Sequence, residues 1–221
     1  MNKTAVVLLS GGLDSTVTLY YARSKGYEPK ALTVDYNQLH KIEIKKAQTT
    51  TKLLGLDHCI IPIALPWKGS ALLDTTIPIP KNRKAIANHE IPATYVPGRN
   101  TIFLSFALSW AEVADAQVIF IGANQLDYSG YPDCRGDFFQ ALQKSFTLGT
   151  KKGVEGAAIH IETPLLNMNK KEIILLGKEL HVPFEQTWSC YQGAEKPCAA
   201  CDACLLREKG FEEAGLIDPL M

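Results

Sequence analysis

The chain has no surplus of charge: 23 lysines and arginines are balanced by 23 aspartates and glutamates. A surface so balanced lacks the broad positive field that follows a nucleic-acid backbone, although a local basic patch stays compatible with it. Long apolar runs are missing too. The longest, Ile102 to Ala111, contains two serines and is shorter than the roughly 20 residues a bilayer requires. The run Ala5 to Leu9 is too short for the core of a secretory leader, and glycines and Asp14 follow it at once. Neither export nor membrane insertion is expected, so the cytoplasm is the expected location. No GxxxxGK[ST] string occurs, which excludes an ordinary Walker-type phosphate loop. Internal repeats and low-complexity tracts are absent. What remains is globular composition, 46% hydrophobic and 21% charged, in a chain of 221 residues that can bury one core.

Strand-like and helix-like segments alternate along it. Thr4 to Leu9, Ala31 to Tyr36, His58 to Ile63, Val118 to Gly122 and Ile159 to Thr163 read as strands. Helices are expected from Asp14 to Lys25, up to Leu54 (with Ile44, Ala47, Thr51 and Leu54 on one face), from Asn100 to Ala114, and near Asp137 to Leu148. A further helix begins at Asn169, with Glu172 in a capping-box position. The helix from Asn100 is apolar on most of its surface and is expected to be central. Residues 64–98 hold five prolines and no clear period, an irregular excursion of a length that is usually functional. Such alternation specifies an α/β fold, a parallel sheet covered by helices on both faces. Ligands bind outside the carboxyl ends of strands in these sheets. The unusual segments Ser10–Ser15, Asp35–His40, Asn124–Arg135 and Pro164–Lys170 all fall at such ends, which points to one shared site.

Ser10-Gly11-Gly12-Leu13-Asp14-Ser15 lies between the first strand and the first helix. A strand that turns into a helix through two glycines leaves backbone N–H groups converging on one spot, with the positive end of the helix dipole behind them. Ser10, Ser15 and Thr16 add hydroxyls. The arrangement suits a phosphate group.

Four of the six cysteines, Cys190, Cys198, Cys201 and Cys204, lie close together among small residues, and no histidine falls between them. Four thiolates at this spacing suit tetrahedral zinc. Such a site is coordinatively closed, so its role is structural; paired disulfides or inert thiols are the alternative. Asp202 need not ligate. Cys59 reads as a core residue, and Cys134, in a polar loop, as a bystander with a nucleophile as the alternative.

The stretch Leu126 to Arg135 combines tyrosines able to stack on a planar base, carboxylates able to accept from its N–H edge, and Arg135 for an anionic substituent. A plain turn is the alternative. In Tyr95-Val96-Pro97-Gly98-Arg99-Asn100, the proline–glycine pair makes a turn, Asn100 is expected to cap the helix, and Arg99 is free to face phosphate or solvent.

Together these strings resemble the 7-cyano-7-deazaguanine synthases of queuosine precursor biosynthesis, within the PP-loop ATP pyrophosphatase superfamily. The resemblance rests on SGGLDS at 10–15, YVPGRN at 95–100, DYSGYPDCR at 127–135, TPL at 163–165 with NKKE at 169–172, and the TWSC…CxxCxxC tail at 187–204. They span nearly the whole chain. One departure is DYNQLH at 35–40, where Asn37 and Leu39 stand in place of the glycine and arginine of many members. The resemblance implies an adenine nucleotide alpha hydrolase-like, Rossmann-like three-layer fold with a C-terminal zinc knuckle. One PP-loop domain spans residues 1–221, with the zinc segment at 186–207 inside it. It implies a ligase that converts 7-carboxy-7-deazaguanine and ammonia to the nitrile, consuming two ATP to two AMP and two diphosphates.

By position, Leu9, Ser10, Gly11, Gly12, Leu13, Asp14, Ser15 and Thr16 are expected at the nucleotide phosphates, Asp14 as a cap or a Mg²⁺ bridge. Arg99 and Lys170 are expected to stabilise charge at the α-phosphate, with a solvated Lys170 as the alternative. Asp127, Tyr128, Tyr131, Asp133 and Arg135 are expected at the substrate, and the four cysteines at one structural zinc ion per chain. Mg²⁺-ATP is the implied co-substrate, a homodimer the implied assembly, and neither nucleic acid nor membrane a partner. A tRNA thiolase or related ligase, and a non-catalytic nucleotide-binding module with a zinc knuckle, are the competing readings.

Overall fold

The computed structural model describes residues 3–83, 91–126 and 130–220. Strands β1 (Lys3–Leu8), β2 (Tyr27–Asp35), β3 (His58–Pro62), β4 (Val118–Ile121) and β5 (His160–Glu162) form one sheet in the order β3-β2-β1-β4-β5. Every pairing is parallel, with Leu8 opposite Leu32 on one side of β1 and Ile121 on the other. The chain leaves β1 toward β2 and later returns to its other flank at β4. The order therefore reverses at the carboxyl end of β1, where such sheets open a crevice.

Successive side chains of a strand point to opposite faces, and the apolar run of β1 feeds both. Val6 and Leu8 pack against α3 (Arg99–Val113) and α4 (Gly136–Gly149) through Leu104, Ala107, Ala111, Phe139 and Phe146. Ala5, Val7 and Leu9 pack against α1 (Leu13–Ser24) and α2 (Ile42–Leu54) through Leu19, Ala22 and Ala47. Truncating a fully buried member such as Leu104 to alanine costs about 2–5 kcal/mol. After α5, a single turn (Lys151–Val154), the chain enters β5. Then α6 (Lys170–Glu179) and α7 (Asp202–Glu213) cover α1 through Val17, Ile173, Ile174 and Phe211. Gly210 of α7 makes that approach possible, because a Cβ there would lie 2.5 Å from Lys170 Cγ.

Most expected elements are present, with instructive differences. β2 begins at Tyr27, four residues before its apolar run, because pairing of Lys3 to Tyr27 and of Ala5 to Pro29 recruits polar residues that pattern leaves out. α5 and α7 carried no clear periodic signal. α3 is not enclosed: Leu104, Ala107 and Ala111 meet the sheet, whereas Val113 is 84% exposed and Phe106 and Trp110 are half-buried. Only one stripe of a helix can reach a flat sheet. Asn100 does not cap it either. Gly98 holds the N-cap position, and the Asp133 carboxylate accepts from the Asn100 backbone N–H at 3.1 Å, supplying the cap from another loop. The capping box of Asn169 and Glu172 is formed, at 2.8 and 3.0 Å. Among the described residues, no helix is long and apolar enough to cross a membrane.

Candidate active site

A cavity of about 230 Å³ opens at the carboxyl ends of β1, β2 and β4. Its floor is the turn from β1 into α1. Ser10 Oγ accepts from the Gly12 N–H at 3.0 Å and lies 3.0 Å from Ser15 Oγ, so the loop is braced by its own hydroxyls. Among the described residues no side-chain cap is formed at the start of α1, whose first N–H groups lie beside the cavity without a partner inside the helix. Leu9, Ser10, Gly12, Leu13, Asp14 and Ser15 line the cavity.

Gly11 and Thr16 do not line it. Gly11 adopts φ +90°, and a Cβ there would lie 2.0 Å from the Glu43 carbonyl oxygen, so its task is to let the loop pass under α2. The Thr16 hydroxyl is fully buried and donates to the Gly12 carbonyl at 2.8 Å. Both shape the loop from behind.

Lys170, at the start of α6, is 8% exposed and reaches across to Asp14, its Nζ 2.7 and 2.8 Å from the two carboxylate oxygens. The solvated alternative for Lys170 is thereby excluded, and Asp14 is held by a cation of the protein itself. Arg99 is half-buried at the start of α3 and lines the opposite wall. Burial alone would lower its pKa, but Tyr36, Tyr131, Cys134 and Asp133 around it hold it above its ordinary value, so the guanidinium stays charged.

Beside Arg99 the wall is aromatic. Tyr36, Phe103, Tyr131 and Tyr191 line it, and the Tyr131 hydroxyl lies 2.7 Å from Thr94 Oγ1. Burial pushes the Tyr36 and Tyr131 hydroxyls up, partly offset at each by Arg99. Cys134 is buried in this wall rather than in a polar loop, with Asn100 Nδ2 3.4 Å from its sulfur. Burial, then the Asp133 charge, pushes its thiol up to about 11. Asp133 is buried but turned to the start of α3, and Arg135, at the start of α4, lies outside the lining. Asp127 and Tyr128 lie outside the described residues.

The four tail cysteines converge, all sulfurs within 4.8 Å of one another and none disulfide-bonded. Cys198 and Cys204 sulfurs are 3.9 Å apart, close to the edge of about 3.8 Å of a tetrahedron whose corners stand 2.3 Å from a zinc ion. Backbone N–H groups of Gln192 and Cys198 donate to Cys190 Sγ at 3.4 and 3.3 Å, and that of Cys201 to Cys198 Sγ at 3.3 Å, which favours thiolate. Bonds from Cys201 and Cys204 draw the Cys190 thiol down, while the same sharing drives Cys204 up. The donor set and its spacing fit a divalent metal. Asp202 stands outside it, bound to Arg83 Nε at 3.0 and 3.1 Å.

The cluster is joined to the cavity. The Trp188 N–H donates to the Gly11 carbonyl at 3.0 Å, and its indole N–H to the Cys190 carbonyl at 2.9 Å. Arg207, 2% exposed, holds Thr187 at 2.7 Å and Asp218 at 2.7 and 2.9 Å. The irregular excursion docks here too, through the Asn82 N–H to the Ala200 carbonyl at 2.8 Å. Trp188, Ser189, Tyr191 and Arg207 line the cavity without having been assigned to it from sequence, as do Gln38, His40 and Glu43. The loop Asp35–His40 carried the signal for Gln38 and His40; Arg207 and Glu43 carried none. Asn37, where many members have glycine, adopts φ +62°, which asparagine tolerates better than other side chains. Leu39 donates its N–H to the Leu72 carbonyl at 3.2 Å.

Comparison with known proteins bears on this geometry. The family described as queuosine biosynthesis protein QueC matches residues 4–215. A 7-cyano-7-deazaguanine synthase of Trichodesmium erythraeum is 53% identical over 98% of this chain and 99% of its own length. One of Nostoc punctiforme is 51% identical over 98% of both. Among solved structures, an NMN synthetase from Francisella tularensis superposes with a TM-score of 0.52 at 18% identity, covering 98% of this chain and 78% of that one. The last is a likeness of fold alone.

Proposed function

The chain belongs to the queuosine biosynthesis protein QueC family, and on that footing we propose how its cavity carries out the family's chemistry. It is a carbon–nitrogen ligase, a 7-cyano-7-deazaguanine synthase that uses ATP. Its substrates are 7-carboxy-7-deazaguanine and ammonia. A carboxylate is a poor electrophile because oxide would have to leave. Its oxygen therefore attacks the α-phosphate of ATP, diphosphate departs, and ammonia displaces AMP to give the amide. A second activation at the amide oxygen lets AMP leave again and yields the nitrile.

The observation that carries the reading is that the uncapped start of α1 and the aromatic wall with Arg99 open into one chamber. The β,γ-phosphates of Mg²⁺-ATP lie on Ser10, Gly12, Leu13 and Ser15, beside Leu9, with the helix dipole favouring the departing diphosphate. Lys170 holds Asp14 against α1 and adds positive charge at the same place; Arg99 faces the α-phosphate and the substrate carboxylate. Tyr36, Phe103 and Tyr131 offer faces for the deazaguanine ring. Asp133 acts behind this wall by fixing the start of α3, and Arg135 is left as a contact from the rim. Rate enhancement comes from positioning and electrostatics, since the substrate oxygen and ammonia do the attacking. Cys190, Cys198, Cys201 and Cys204 would hold a zinc ion, which would fix the tail that carries Trp188 to the phosphate loop. Residues 1–221 act as one domain with the metal segment at 186–207 built in. A homodimer is part of the proposal, supported by the exposed Val113 and the half-buried Phe106 and Trp110 of α3.

Metal-replete protein supplied with Mg²⁺-ATP, ammonium and 7-carboxy-7-deazaguanine is expected to yield the nitrile by mass spectrometry, with two AMP per nitrile. No nitrile from such protein would reject the reading.

A further inference from the structure

Ammonia has three N–H bonds, and a nitrile nitrogen has none. Given the reaction above, on which this inference rests, all three protons must leave nitrogen inside the cavity. One goes as the amide forms, one as the amide oxygen is adenylated, and the last as the second AMP departs. A group that accepts protons must face the reacting centre.

Most acid–base side chains lining the cavity are already committed. Asp14 is bound through both oxygens by Lys170, at 2.7 and 2.8 Å. Arg99 and Arg207 are cations. Tyr36, Tyr131 and Cys134 are pushed up by burial and keep their protons, and Tyr191 is hydrogen-bonded to Tyr131. Among the described residues that line it, Glu43 and His40 remain. Glu43 sits in the first turn of α2, where the helix dipole favours a carboxylate. His40 Nε2 lies 3.1 Å from Glu43 Oε2, with the two side chains 4% and 14% exposed. The other oxygen, Oε1, is turned toward the phosphate loop: a Cβ placed on Gly12 would lie 3.2 Å from it. Among the described residues His40 Nδ1 is buried without a hydrogen-bond partner, as suits the bare acceptor nitrogen of an imidazole whose proton is on Nε2.

We propose that Glu43 is the general base that takes these protons from nitrogen, and that His40 is a positioning residue that aims its carboxylate. As the C–N bond forms, an N–H bond breaks, its electron pair stays on nitrogen and the proton passes to Oε1. In the last step the N–H pair becomes the third bond of the nitrile while the C–O bond breaks and AMP leaves with the oxygen. The partly exposed carboxyl then returns its proton to water.

The full chain carrying Glu43→Gln tests this, since the amide keeps size and can still accept from His40. Exchange of labelled diphosphate into ATP, with the acid present and ammonia omitted, reports activation alone and is expected to stay within about twofold of wild type. Nitrile formation is expected to fall about 100- to 10,000-fold with KM for ATP and acid unchanged. His40→Gln is expected to lower kcat less, again with KM and exchange retained. If exchange falls as far as nitrile formation, or if excess Mg²⁺ restores Glu43→Gln, the carboxylate serves the nucleotide's metal and the assignment is overturned. Full nitrile activity in Glu43→Gln overturns it as well. Wild-type protein that forms no nitrile would instead reject the reaction itself, so the two failures are distinct.

Discussion

Lys170 Nζ stands 2.7 and 2.8 Å from the two carboxylate oxygens of Asp14, joining the first turn of α6 to the first turn of α1 across 156 residues of sequence. The contact places a cation beside the glycine turn and offsets the charge of the carboxylate there. Lys170 is 9% and Asp14 19% exposed at the side chain, so neither charge is well hydrated. Lys170→Met is therefore expected to cost about 2–3 kcal/mol by leaving Asp14 unpaired, and the further change Asp14→Asn to recover most of it. A double-mutant cycle in urea is expected to give a coupling of about 1–3 kcal/mol. Coupling under about 0.5 kcal/mol would mean that the pair does not hold the two helices together.

Gly11 and Gly12 are expected to fail differently. Alanine at position 11 would place a Cβ 2.0 Å from the Glu43 carbonyl oxygen in a φ +90° backbone, so Gly11→Ala should destabilise the fold by more than about 2 kcal/mol. At Gly12 φ is −72° and the nearest atoms stand at 3.0 to 3.4 Å, so Gly12→Ala should fold. Its methyl group instead crowds the phosphate site, and KM for ATP should rise about tenfold or more. Equal thermal stability in the two variants would contradict this division.

Chelation or Cys201→Ser should release metal and lower stability together, because the tail is pinned through Cys201, which is fully buried. Elemental analysis is expected to find one zinc per wild-type chain and less than about half of that in the variant. The Trp188 link to Gly11 then predicts weaker ATP binding in the metal-depleted protein, readable by calorimetry. Unchanged zinc content in Cys201→Ser would rule out the four-cysteine ligand set.

His58 supplies a pH dependence. Its ring is bonded to Thr33 at 2.8 Å and Thr51 at 3.0 Å, and burial holds its pKa below the ordinary 6.5. Above pH 6.5 the ring is neutral in both folded and unfolded chains, and its contribution is complete. As pH falls below 6.5 the unfolded chain takes up the proton first, so stability drops until the folded-state pKa is passed. The urea midpoint should fall more between pH 7 and pH 5 in wild type than in His58→Gln. Parallel curves would show that the ring is not the source.

Residues close in sequence made their own case. The glycine turn behind an apolar strand, the CxxCxxC tail and the Asn169–Glu172 box all act through backbone geometry over a few residues. Each therefore appears in the structure where spacing put it. The aromatic wall was less legible. Tyr131 reaches the cavity, but Asp133, two residues on, faces α3, because the turn at residues 132–134 directs alternate side chains to different neighbours.

Sequence by itself determined the alternation of strands and helices, the glycine turn after the first strand, the grouping of four cysteines and the family, since these rest on period, spacing and residue type. Only tertiary structure decided which groups share a charge. Lys170 with Asp14 and Arg83 with Asp202 became partners when segments 156 and 119 residues apart met, and Arg207 found Asp218 where the chain turns back after α7. Pairing of charged side chains depends on distances of about 3–4 Å and on exclusion of water, and neither is written in the order of residues along a chain.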